Sequence, residues 1–170
     1  MQKIIVALCF SLIYTFLYIT EVLAENKNLF KIERNKNANV VMYDARLDLN
    51  GNINKKNPVD AYWILYAKQG QREEITAFEK KAYGYTVTAN DDDDNSYNLV
   101  LKAVKDRPMK IVLVNGEYKA EILINNEKAY LSSVYVSASD ALIPKVSYII
   151  LTGTKINTGE KVTEKIIETK

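Results

Sequence analysis

Asn115-Gly116 narrows what this chain can become more than any other pair of residues. It is a strong signal for a two-residue β-hairpin turn, and apolar alternation runs on both sides of it from Met109 to Ile124. With that loop, Val114 pairs Glu117, Leu113 pairs Tyr118, Ile111 pairs Ala120 and Met109 pairs Ile122. The last three pairs are apolar or aromatic and share one face, while Lys110 comes opposite Glu121 on the other. Turn, pattern and charge select the same register, as a specified antiparallel hairpin requires.

The same alternation recurs along the chain. Leu29–Arg34 is a short strand, and Val40–Leu49 sets Val41, Tyr43, Ala45, Leu47 and Leu49 against Met42, Asp44, Arg46 and Asp48. The Asn-rich loop after it alternates Asp48, Asn50 and Asn52, but it lacks the glycine and glutamate spacing of an EF-hand and reads as a plain turn. Pro58 opens the next strand, Asp60–Ala67, which carries no charge past Asp60 and is expected to be covered on both sides or central in its sheet.

Glu73–Tyr83 reads as the only helix. Glu73 and Glu74 suit the positive end of its dipole, Lys80 and Lys81 the negative end. Gly84 fits a left-handed stop, and Ile75, Phe78 and Ala82 form one apolar stripe that must dock. Strands follow at Tyr85–Ala89, Tyr97–Val104 and Ala129–Ala138, and a last hairpin joins Val146–Ile156 to Lys161–Glu168 through Thr158-Gly159. The acidic turn Asn90–Asn95 reads as a solvated loop; calcium at Asp91–Asp94 would need a curled backbone. The expected fold is all-β: an antiparallel β-barrel, or a flattened barrel or β-sandwich, of about eight to ten strands with one short helix between strands.

The N-terminus sets an expectation of location. Lys3, the apolar run Ile4–Tyr18 and Val22-Leu23-Ala24 describe a signal peptide cleaved after Ala24, leaving a single domain over 25–170 that is secreted or periplasmic. The competing reading is a membrane anchor, for which the run is short. Cys9 lies inside this segment and is the only cysteine, so no disulfide is expected in the domain. The chain has no histidine, which removes Ser-His-Asp catalysis and histidine-ligated zinc. With 23 basic and 21 acidic residues, scattered rather than blocked, nucleic acid is not an expected partner. Neither a cofactor nor a metal site is expected, and nothing after residue 24 is apolar enough to form a transmembrane segment.

Several aromatic and turn residues occur in a distinctive order: Val41 and Tyr43; Asn57-Pro58-Val59; Tyr62-Trp63-Ile64 and Tyr66; Gly70; Glu79; Ala82-Tyr83-Gly84; Leu151-Thr152-Gly153; and Thr158-Gly159 with Glu164. In this the chain resembles the uncharacterised bacterial family called domain of unknown function 4833. The resemblance covers most of the chain beyond residue 24. It implies a single secreted or envelope-associated domain and carries no catalytic residues with it.

Of the twelve tyrosines, all but Tyr14 and Tyr18 lie beyond Ala24. A ring with a polar tip suits either a strand surface and core or the wall of a cavity for an amphipathic ligand. The residues that packing explains least are Tyr62, Trp63, Tyr66, Glu79 and Tyr83, and they are the candidate ligand-binding set; no catalytic residue is assigned. Glu79 has no evident helix-end reason for its place. The leading reading is a non-enzymatic module binding a small amphipathic ligand or a cell-envelope component. The alternatives are a carboxylate-dependent hydrolase, drawing on Glu79 with Asp44, Asp48 or Asp60, and a structural or adhesion domain.

Overall fold

The computed structural model describes residues 27–90, 93–141 and 145–167, and of these the side chains at 93–95 are left aside. The proposed signal segment 1–24, Asp91 and Asp92 of the acidic turn, and most of the Ala141–Pro144 break lie outside the described residues. Among the described residues, eleven strands form one sheet: β1 (Lys27–Arg34), β2 (Val40–Ala45), β3 (Val59–Leu65), β4 (Gln71–Glu74), β5 (Tyr85–Asn90), β6 (Asp93–Leu101), β7 (Met109–Val114), β8 (Glu117–Ile124), β9 (Glu127–Ala138), β10 (Val146–Lys155) and β11 (Lys161–Ile167).

β9 is the spine. Along one edge it pairs with β10 over nearly its whole length, and β10 pairs with β11. Its other edge is shared: residues 127–130 pair with β8, and residues 133–136 pair with β1. The sheet therefore forks into two wings, β1-β2-β3-β4 and β8-β7-β6-β5, which curl into a half-barrel. The β1–β9 pair is parallel, so the sheet is mixed rather than purely antiparallel as expected. A chain that returns to its spine from the far end of a meander has no constraint on direction, and the local alternation that specifies hairpins is silent about it.

The hairpin at Asn115-Gly116 has the predicted register, with Val114 opposite Glu117, Leu113 opposite Tyr118, Ile111 opposite Ala120 and Lys110 opposite Glu121. Both turn residues take positive φ, 52° and 82°, which is what two-residue hairpin turns demand. Glu121 makes its ion pair with Lys128 of β9, at 2.9 Å. One continuous core lies between the wings, built on Phe30, Val41, Tyr43, Trp63, Leu99 and Ile111 with their neighbours. Tyrosine tips tie the wings together: Tyr43 Oη donates to the Tyr83 carbonyl (2.7 Å), Tyr85 Oη donates to the Val59 carbonyl (2.8 Å), and Ile53 N donates to Tyr118 Oη (3.0 Å). Burial, with Tyr83 and Tyr85 adding to it, pushes the Tyr43 phenol well above its ordinary range. It stays a neutral donor.

Two local expectations change. The predicted strand to Leu49 stops at Ala45; Leu47 still bridges to Ile53, but Leu49 is exposed because Asp48 Oδ1 accepts from Asn50 N and Asn52 N and turns the chain. The short helix is present only as a 3-10 turn over Glu79–Lys81, within a helical segment closed by Lys80 N to Thr76 O and Gly84 N to Lys80 O. Its predicted first turn is instead strand β4, set beside β3 after Gln69 and Gly70 take positive φ. A three-turn helix is marginal alone, and the open edge of β3 offers a full ladder to the same residues. The stripe does not dock as one: Ile75 is buried, whereas Phe78 and Ala82 are exposed. Gly84 does not have positive φ; a Cβ there would run into the Lys80 carbonyl oxygen, so close backbone approach is what demands glycine.

Candidate functional site

β3 divides the predicted set between its two faces. Alternation sends Trp63 inward, opposite Val41 of β2, and Tyr62 outward, opposite Met42. β3 was expected to be covered on both sides or central; it lies second from an edge, and its outward face is only half covered.

On the inner side, the helical segment after β4 opens with a capping box. Thr76 N and Oγ1 both donate to Glu79 Oε2 (2.9 and 2.7 Å), and Glu79 N donates to Thr76 Oγ1 (3.3 Å). The pattern Thr76-x-x-Glu79 is thus the helix-end reason that the sequence reading found wanting. The other oxygen, Oε1, accepts from Trp63 Nε1 at 3.1 Å. Desolvation pushes the Glu79 carboxyl up, but hydrogen bonds from Thr76 and Trp63 and the charge of Arg34 outweigh it, so the group titrates below its ordinary value. Tyr83, one turn on, meets the Trp63 ring edge-on at 5.1 Å.

Arg34 completes this cluster. β1 alternates Phe30, Ile32 and Arg34 toward the interior, so its last inward position carries a guanidinium. That group lies over the Trp63 ring at 4.5 Å and near the Tyr83 ring at 6.0 Å. Its Nη1 donates to Tyr83 Oη (3.3 Å) and its Nη2 to Asn37 Oδ1 (3.4 Å), both neutral acceptors. Its Nε is buried without a hydrogen-bond partner. Among the described residues no carboxylate lies within ion-pair distance of it.

Arg34, Glu79 and Tyr83 stand on the wall of a cleft of about 540 Å³ at one end of the half-barrel. Its floor is apolar: Ile32, Leu101, Val134, Val136, Ile149 and Ile166. Lys36, Lys81, Asp106 and Arg107 stand around it. Arg107 is held by Glu164 of β11 through two bonds of 2.8 and 3.3 Å, and Asn125 N also donates to Glu164 at 2.8 Å. Desolvation raises the Glu164 carboxyl, and the Asn125 and Arg107 bonds overcome it, again leaving it below its ordinary value.

The outer face of β3 is a different, closed network. Asp44 and Asp60 stand opposite each other on β2 and β3, and both are buried despite their charge. Tyr62 Oη donates to Asp44 Oδ2 at 2.6 Å and Asn28 Nδ2 to Asp44 Oδ1 at 3.0 Å. Arg46 and Arg72 bind Asp60, each at 3.0 Å, and Arg72 also bonds Glu74 at 3.0 Å. The Arg72 guanidinium lies 3.8 Å from the Tyr62 ring centre. Burial first, then the bond to Asp44, pushes the Tyr62 phenol well above its ordinary range.

Trp63, Glu79 and Tyr83 are thus brought together, with Trp63 behind the cleft wall. Tyr62 lies on the opposite face, and Tyr66 is exposed in a 3-10 turn beyond the end of β3. Arg34 and Arg107 escaped the sequence reading. The inward alternation Phe30, Ile32, Arg34 was the available signal for the first; Arg107, in a loop, has none. Gly153 lies on β10 against the spine: a Cβ would meet the Tyr130 carbonyl oxygen at 2.6 Å, where β10 pairs with β9 at a register shift.

The family described as Domain of unknown function (DUF4833) matches residues 30–165. No curated protein and no solved structure matches the chain.

Proposed function

This chain belongs to the Domain of unknown function (DUF4833) family, a premise that names no activity, and from it we propose a non-enzymatic module that holds a small amphipathic ligand in the cleft beside Arg34. The observation that carries this reading is the cleft itself. Its volume of about 540 Å³ falls within the roughly 300–1,000 Å³ of small-molecule sites, and it combines an apolar floor with a few polar groups on one wall. Glu79, the residue on which a hydrolase would most depend, has both oxygens committed to Trp63 and Thr76, which favours binding over catalysis.

The module is secreted or periplasmic, as Lys3, the run Ile4–Tyr18 and Val22-Leu23-Ala24 support, and a cell-envelope component is a suitable source of its ligand. N-terminal sequencing of the protein from its native source then begins at Glu25. Organic extraction of that sample, followed by mass spectrometry, is expected to release an amphipathic small molecule. Trp63 is the only tryptophan and lies behind the cleft wall, so its fluorescence reports occupancy. A panel of lipids, pigments and glycans that leaves this fluorescence unchanged, with nothing co-purifying, ends the proposal.

A further inference from the structure

The charges around the cleft are not equivalent. Arg107 is neutralised by Glu164, and Lys36 lies 3.8 Å from Asp140. Arg34 has aromatic faces and two long bonds to neutral oxygens. Glu79 is close enough for its titration to feel Arg34, but its oxygens are used by Trp63 and Thr76. A half-buried guanidinium with an unpartnered Nε and, among the described residues, no carboxylate within ion-pair distance is costly by itself, because its donors have given up water without gaining a charged acceptor. The planar fork of arginine is also the group best matched to a carboxylate or phosphate, and the Trp63 ring beneath it and the bond to Tyr83 Oη hold the group in place.

Resting on the binding reading above, we propose that Arg34 is the anchor for an anionic head group, and that the ligand is a single-chain amphiphile whose hydrocarbon lies along the floor formed by Ile32, Val134, Val136 and Ile149. The apolar floor supplies affinity for any chain of suitable length, and Arg34 supplies discrimination by head group.

The test measures binding of laurate, dodecyl phosphate, dodecanol and dodecyltrimethylammonium to the purified protein by Trp63 fluorescence and calorimetry. Laurate or dodecyl phosphate, or both, should bind about tenfold or more tighter than dodecanol, with the cationic surfactant weakest. The ratio between the two anions tells carboxylate from phosphate, and either supports the proposal. Arg34→Met should bring the anions down to the level of dodecanol and leave dodecanol unchanged, while Arg72→Met on the outer face changes none of them. Equal binding of all four probes by the unmodified protein overturns the anionic anchor and leaves the binding reading standing. No binding of any probe overturns both. If Arg34→Met does not fold, the head-group ratios of the unmodified protein decide alone.

Discussion

Arg34 and Arg72 are near mirror images across β3. Each lies over an aromatic ring of that strand, Arg34 at 4.5 Å from Trp63 and Arg72 at 3.8 Å from Tyr62. Arg72 has two carboxylates at 3.0 Å and belongs to a network with Asp60, Glu74, Arg46 and Asp44. Arg34 has none within ion-pair distance among the described residues and faces an apolar cleft. The stacking is common to both, so stacking says little about function. On the proposed binding reading, the difference in acceptors is what separates a charge the fold uses for itself from one it leaves for a ligand.

The largest effect expected is from Trp63→Ala. The buried indole is at once the platform for Arg34, the donor to Glu79 and part of the core, so its loss should cost about 3–5 kcal/mol in urea unfolding. A loss below about 1 kcal/mol would mean that the inner cluster is an ornament on an independent core. Next comes Asp60→Asn, which removes the negative charge that Arg46 and Arg72 share and turns one of its two acceptor oxygens into an amide donor. It should cost about 1–3 kcal/mol, toward the low end because both guanidinium groups reach solvent, and leave ligand affinity untouched.

The contrast itself is tested by two matched changes. Arg72→Met should lower stability by about 1 kcal/mol with no change in binding. Arg34→Met should weaken anionic ligands about tenfold, or about 1.4 kcal/mol, while stability of the empty protein holds or rises. If the two variants exchange these effects, the comparison is wrong.

The smallest effect is from Glu79→Gln, which weakens the capping box and should cost about 0.5–1 kcal/mol near neutral pH. Its pH dependence follows from the lowered titration. Glu79 binds its proton less readily folded than unfolded, so its contribution is complete above the ordinary value of 4.5 and fades as pH falls through the lower folded value. Thermal melts of the native protein and the Gln variant should therefore draw together as pH falls from 4.5 through the lower folded value. Glu164 adds an acid-sensitive component of the same sign that both proteins share.

The strands and their turns were largely legible in the residues. Asn115-Gly116, Asn125-Asn126 and Thr158-Gly159 each place a positive φ where a hairpin needs one, and alternation then sets the register. The helix reading failed in extent because Glu73 and Glu74 suit a helix N-terminus and an exposed edge strand equally well. Which state wins depends on whether β3 has a free edge, and no local pattern shows that. The capping box was legible, since Thr76 stands three residues before Glu79, but the longer helical pattern hid it.

Local chemistry, then, determined what could be determined within a few residues: hairpins, turns, the buried face of each strand, and the exclusion of histidine chemistry. Tertiary structure decided that β1 runs parallel to β9, that the sheet forks, and that the end of β1 meets the end of β6 across a cleft. It also decided that Trp63, Glu79 and Tyr83 share one cluster while Tyr62 faces away. The physical reason is range. Backbone preference and alternation act between sequence neighbours, whereas the lack of a carboxylate within ion-pair distance of Arg34 among the described residues depends on every element packed around it.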